Sequence, residues 1–259
     1  MPHWKPERYL QFASERAIPC RDLISRLPQI PLVSIVDIGC GPGNSTAALH
    51  ARFPTAAILG IDSSPHMLQA AQALLPGIAF RQAAIESWSP DQTFDCLFSN
   101  AALQWAPDHA TLFPRLGKML RPGGVFAVQM PYPDDASPIN VTIRTITTSA
   151  RWRRVFSAPV RSWGVEHPAF YYDLLCRDAQ KIDIWRTDYY HPLESADAVI
   201  DWYCGTGLQP YIEALASAED RSAFLTDCRQ CIRPLYRIGA DGRVLFCIPR
   251  LFIVYIRNE

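Results

Sequence analysis

From Ser34 the chain runs through a short β-branched stretch, Ser34-Ile35-Val36-Asp37-Ile38, into three glycines at alternate positions, Gly39, Gly41 and Gly43. Asn44-Ser45-Thr46, compatible with a helix, follows at once. Glycine accepts φ > 0 and lets a backbone approach a ligand closely, so a glycine turn between strand and helix is a natural nucleotide cradle. The spacing departs from the dinucleotide fingerprint G-x-G-x-x-G: Gly43 comes one residue early and Asn44 stands where the last glycine belongs. A nicotinamide-dependent oxidoreductase is therefore disfavoured. Asp37, just before the turn, would repel a pyrophosphate and suits a ligand carrying a cationic ammonium group.

Three further marks follow in order. Ala57-Ile58-Leu59-Gly60-Ile61-Asp62 reads as a second strand ending in an acid, about 20 residues after the glycines, where a carboxylate grips ribose hydroxyls. Ser64 then reads as an N-cap with Pro65 at the first helical position. Thr93 to Asn100 reads as strand four, and Leu120-Arg121-Pro122-Gly123-Gly124 as a turn into strand five, which ends at Gln129-Met130-Pro131. Alternation of strand and helix from 33 to about 130 predicts βαβ units and a parallel sheet.

Bulk properties narrow the class. The 259 residues include 25 basic and 25 acidic side chains, a formal net charge of zero, which argues against a nucleic-acid partner. No run approaches the roughly 18 apolar residues of a membrane span. Lys5, Glu7 and Arg8 stand where a signal peptide would be apolar, so a cytoplasmic location is expected. Eight cysteines in a chain this long do not read as a disulfide framework, and Cys228-x-x-Cys231 lacks the companions of a metal site.

The four marks together resemble the class I S-adenosylmethionine-dependent methyltransferases. That resemblance implies an α/β, Rossmann-like fold: a seven-stranded, mostly parallel sheet with an antiparallel last strand. Helical insertions would form a lid. The chain is expected to be a single domain, with a helical cap over 1–30 and a cofactor core over 31–131. Substrate-side helices are expected over 132–180 and 195–240, and terminal strands over 181–192 and 244–257. Within these, 132–170 looks irregular, 169–179 helical, and the last strand is expected to break at Pro249.

The second half resembles a narrower family. Asn100-Ala101-Ala102-Leu103-Gln104-Trp105, Phe170-Tyr171-Tyr172-Asp173, Asp183-Ile184-Trp185-Arg186-Thr187, Tyr189-Tyr190-His191, Ile200-Asp201-Trp202 and Pro249-Arg250-Leu251-Phe252-Ile253-Val254, with Trp4…Tyr9 at the start, are similar to the trans-aconitate 2-methyltransferases. The likeness runs over nearly the whole chain. It implies methyl transfer from S-adenosylmethionine to a carboxylate of trans-aconitate, giving a monomethyl ester and S-adenosylhomocysteine. A methyltransferase for another small acid or metabolite is the alternative reading. The chain is expected to act on a small polycarboxylate as a monomer or weak homodimer, without metal, nucleic acid or membrane.

The resemblance also assigns roles. Asp37, Gly39, Gly41, Gly43, Asp62, Ser63, Met67, Ala84, Ile85, Asn100 and Trp105 would bind the cofactor. Tyr9, Tyr171, Arg186, Tyr190, His191 and Arg250 would bind the substrate. Two departures stand out: Ala84 occupies the place of an acid that would accept from the adenine amino group, and Arg151 to Trp163 differs from the family pattern. A carboxylate nucleophile has a reference pKa near 4 and is ionised at neutral pH, so no catalytic base is expected; positioning carries the rate. Arginine suits the non-reacting carboxylates through its bidentate fork. His191 reads equally as an anion contact or a structural histidine. Tyr171 and Tyr172, adjacent on a helix, cannot both face one pocket. The Arg151–Arg154 run reads as a solvated helix face.

Overall fold

The computed structural model describes residues 13–160 and 163–259. Tyr9, and with it the start of the helical cap, lies outside the described residues. Helix α1 is Ala13–Ser25. The alternating section follows as β1 Ser34–Ile38, α2 Asn44–Arg52, β2 Ala57–Asp62, α3 Pro65–Leu74, β3 Ala79–Gln82, β4 Phe94–Asn100, α4 His109–Lys118 and β5 Leu120–Pro131. Then come α5 Pro138–Thr148, α6 Pro168–Leu175, β6 Ala179–Leu193, α7 Ala196–Cys204, α8 Gln209–Glu213, α9 Ala218–Ile232 and β7 Val244–Arg257.

The seven strands form one sheet in the order β3-β2-β1-β4-β5-β7-β6. Strands β1 to β5 pair in parallel and β7 runs antiparallel to β5. The order reverses between β1 and β4. In an open α/β sheet ligands bind in the crevice at such a switch point, outside the carboxyl ends of the strands. The glycine turn after β1 and the loop after β4 meet there.

The chain forms two compact units. One holds Ala13–Tyr132, Trp163–Thr187 and Arg250–Glu259. Its principal core covers one face of the sheet: Val36, Ile38, Leu97, Phe126, Val128, Leu251, Ile253 and Tyr255 pack with Phe113 and Leu116 of α4 and with Tyr171 and Leu175 of α6. The other unit contains 133–160 and 188–249. There Trp152 and Phe156 meet Phe224 of α9, and His191 lies against Trp202 of α7 and Phe246 of β7.

Several sequence expectations need correction. The last strand is continuous through Pro249, because its ladder with β5 begins one residue later, at the Pro131–Arg250 pair, and the missing N–H removes no hydrogen bond from it. The irregular stretch 132–170 contains a helix, α5, with Pro138 at its first position and Ile139, Ile143 and Ile146 buried. The first part of the helical region expected over 195–240 is two short helices, α7 and α8, parted around Gly205-Thr206-Gly207. Arg151–Arg154 lies in turns after α5 and not on a helix; Trp152 is buried and its Nε1 donates to Asp227 at 2.7 Å.

Candidate active site

The turn after β1 is built from left-handed glycines. Gly39, Gly41 and Gly43 have φ of 69°, 55° and 93°. A Cβ on Gly39 would collide with Ala102, which ties the turn to the loop after β4, whereas the space beside Gly41 is open for 4 Å. That opening is the room a cradled ligand needs. Ala101, at φ 54°, is itself left-handed, a conformation an alanine holds at a cost of about 1–3 kcal/mol and one that gathers at ligand sites.

Asp37 is fully buried under this turn. Its Oδ2 accepts from Ser45 Oγ at 2.7 Å and Thr46 Oγ1 at 2.6 Å. Its Oδ1 has no hydrogen-bond partner among the described residues. Burial pushes the carboxyl up to about 6; the Thr46 and Ser45 hydroxyls pull it down, and the charge of Asp62 adds to the rise. A buried acceptor without a partner costs about 1–3 kcal/mol, more when charged. An ammonium group reaching Oδ1 removes that penalty, so the residues fit a cationic ligand.

Asp62 ends β2 as expected. Its Oδ2 accepts from Gly41 N at 2.9 Å and its Oδ1 from Ser64 N at 2.8 Å. Burial raises its pKa, and the N–H groups of Ser64, Gly41 and Ser63 oppose the rise. The Ser64 side chain caps α3 by accepting from Met67 N, and Met67 is buried in that first turn. The carbonyls of Ala84 and Ile85 are already bonded, one to the N–H groups of Ser87 and Trp88 and the other to Arg115. Trp105 is half-buried and sits edge-on to Trp163.

The expected substrate residues divide. Arg250 is buried, and its Nη1 donates to Gln129 Oε1 at 3.3 Å; Gln129 Nε2 in turn donates to Asn100 Oδ1 at 2.9 Å. Arg186 is exposed, its guanidinium 5.6 Å from the centre of the Tyr132 ring. Tyr190 and His191 alternate along β6, one exposed and the other packed 5.1 Å from the Trp202 ring, so they do not share a side of the strand. Tyr171 is corrected outright. It is 0% exposed, and its hydroxyl lies 2.8 Å from His109 Nδ1 while accepting from Glu166 N at 3.0 Å. Burial raises its pKa and lowers that of His109, whose Nε2 meets the Leu103 carbonyl at 2.8 Å. Tyr171 is thus a strut that fixes the Leu103–Trp105 turn from behind and not a substrate donor.

Sequence reasoning missed Ser45, Thr46, Gln129 and His109. Gln129 had a readable signal, a lone amide between Val128 and Met130 in an apolar strand. The other three declare themselves only through partners.

A family model described as a methyltransferase domain matches residues 35–124. The solved structure of the YcgJ protein from Bacillus subtilis superposes with a TM-score of 0.59 at 18% identity, over 93% of this chain and 98% of that one. Fold and site together define a class I methyltransferase that uses S-adenosylmethionine. Curated relatives narrow this further. The trans-aconitate 2-methyltransferase of Methylobacterium radiotolerans is 43% identical over 98% of both chains, and that of Shigella dysenteriae serotype 1 is 44% identical over the full length of both. The chain belongs to the trans-aconitate 2-methyltransferase family.

Proposed function

We propose that this enzyme methylates a carboxylate of trans-aconitate, releasing the monomethyl ester and S-adenosylhomocysteine. The observation that carries the reading is the full-length kinship with enzymes of that name, joined to a site whose acids and cation are sorted for such a pair of ligands. S-adenosylmethionine supplies an activated methyl on a sulfonium. Asp37 Oδ1 would hold its ammonium and Asp62 its ribose, with the open side of Gly41 leaving room between them. The loop at Ala84 and Ile85 would border its adenine, and Asn100 and Trp105 the transfer point.

A carboxylate oxygen held in line with that methyl would take it with its own lone pair and leave S-adenosylhomocysteine. No proton moves, so no side chain needs to act as base. The task of the protein is alignment and exclusion of water. Arg250 and Arg186 hold the carboxylates that do not react, since a tight arginine pair on the reacting one would dull its nucleophilicity. Tyr190, exposed on β6, offers a hydroxyl. Tyr9 completes the proposed set, while His191, buried against Trp202 on the other side of the strand, is not placed with Tyr190. Among the described residues no helix is long and apolar enough to cross a membrane. A cytoplasmic enzyme for small acids, working as a monomer or weak homodimer with 31–131 as its cofactor core, is part of the same proposal.

The test incubates the protein with methyl-labelled S-adenosylmethionine and, separately, citrate, isocitrate, cis-aconitate or trans-aconitate. Base-labile label is expected in trans-aconitate above the other three. A preference for another acid, or no ester at all, overturns the reading.

A further inference from the structure

Five polar side chains cross one face of the sheet at its carboxyl end. Asp37 pairs with Gly60 on β2 and Phe98 on β4; Asn100 pairs with Gln129; Gln129 pairs with Phe252 and Pro131 with Arg250. Residues two apart on a strand share a face. Asp62, Asp37, Asn100, Gln129 and Arg250 therefore lie on the same face, opposite the principal apolar core that holds Val36, Ile38, Leu97, Val128 and Leu251. Their order is two acids, two neutral amides, one cation. Neighbouring strands lie about 4.8 Å apart and a strand rises about 3.3 Å per residue; Asp37 lines up through Phe98 and Ala127 with Val254, so three strand steps across and four residues along put roughly 20 Å between the backbones at Asp37 and Arg250.

The amides do more than fill that gap. Gln129 is 1% exposed and both ends of its amide are engaged, Oε1 by Arg250 and Nε2 by Asn100. Its two bonds fix the amide's orientation: the oxygen must face the guanidinium and the nitrogen must face Asn100. A glutamine here anchors Arg250 through a neutral acceptor. A carboxylate at the same point would form a charge-assisted pair with Arg250 and compete with an incoming acid for the same guanidinium.

We propose that Gln129 is a positioning and specificity residue: its neutral amide holds Arg250 in place for a substrate carboxylate without competing for it, and links that cation to Asn100 on the cofactor side. The inference rests on the reading of Arg250 as a substrate anchor. It makes the side chain at 129 the setting for how strongly the enzyme holds a polyanion.

The experiment compares the wild-type enzyme with Q129E, Q129M, R250Q and the double variant Q129E/R250Q. It measures kcat and KM for trans-aconitate, calorimetric affinity for S-adenosylhomocysteine, and melting temperature. Q129E is expected to raise KM about tenfold or more, the effect of diverting one charge-assisted contact; its carboxylate keeps a bond to Asn100 by accepting from Nδ2 once that amide turns over, so cofactor affinity changes less than in Q129M. Q129M has no charge and makes neither bond; it is expected to raise KM less than Q129E while weakening the cofactor through Asn100. On the R250Q background, Q129E is expected to add almost nothing to KM, because its effect runs through Arg250. A purely structural glutamine would give the opposite pattern: Q129E and Q129M alike, melting temperature down, and the KM effects of Q129E and R250Q adding independently. That result overturns the inference while leaving the function standing. Failure of the wild type to esterify trans-aconitate is the separate result that overturns the function and this inference with it. If Q129E does not fold, the decision rests on Q129M: an unchanged KM overturns the proposal.

Discussion

Replacing Asp37 with asparagine should stabilise the free protein and cripple its binding of the cofactor. The two effects have one cause. Asp37 is fully buried, its pKa rises from 3.8 to about 6, and Oδ1 lacks a partner among the described residues. At 1.36 kcal/mol per pKa unit that rise corresponds to about 3 kcal/mol carried by the ionised form at neutral pH. The sign follows from linkage. A folded-state pKa above the unfolded value means that this contribution to stability is complete below 3.8 and is lost as pH rises through about 6. An amide keeps the acceptor for Ser45 and Thr46 and carries no charge. D37N should therefore melt higher than the wild type at pH 7, but by no more than about 5 °C, because the amide nitrogen takes the partnerless position and offsets about 1–3 kcal/mol of the gain. The difference should shrink towards pH 4. Calorimetry should show the opposite for ligand: affinity for S-adenosylhomocysteine falls by tenfold or more in D37N, and in the wild type it declines as pH drops through about 6. Undiminished binding by D37N would refute the assignment of Asp37 to the ammonium. A melting temperature lowered at pH 7 would refute the account of its buried charge.

Three other outcomes follow from the geometry. G41A places a Cβ in the open space beside the turn at φ 55°; titration should show cofactor affinity falling by more than the loss of about 1 kcal/mol in stability expected from the left-handed alanine. R186A should raise KM for trans-aconitate while affinity for S-adenosylhomocysteine holds, and equal losses in steady-state kinetics and calorimetry would remove its anchoring role. Y171F leaves Glu166 N and His109 Nδ1 without their hydroxyl, so denaturant unfolding should show a loss of about 1–3 kcal/mol, with KM for the acid unchanged.

Legibility in the sequence tracked how local each feature is. The glycine turn, the acid ending β2 and the Ser64-Pro65 helix start are written in adjacent residues, and each occupies its expected place in the structure. Tyr171 illustrates the limit. Its helix was readable, but an aromatic hydroxyl looks the same in sequence whether it faces a substrate or, as here, a histidine 62 residues away. Tyr190 and His191 show a second limit: alternation says that they face apart, not which side is buried. The last strand erred for a related reason, since Pro249 breaks a strand only where a ladder needs its N–H.

What the chain alone determined is the βαβ punctuation, the cradle for a cationic ligand and the kinship with carboxylate methyltransferases, because turn chemistry and strand period are short-range properties. Only the folded sheet decided the rest. It brought residue 250 beside residue 129, and residue 129 beside residue 100, through ladders that no neighbouring residues encode. Burial then set the state of Asp37 and the role of Tyr171, because the free energy of a charge or a hydroxyl depends on what surrounds it.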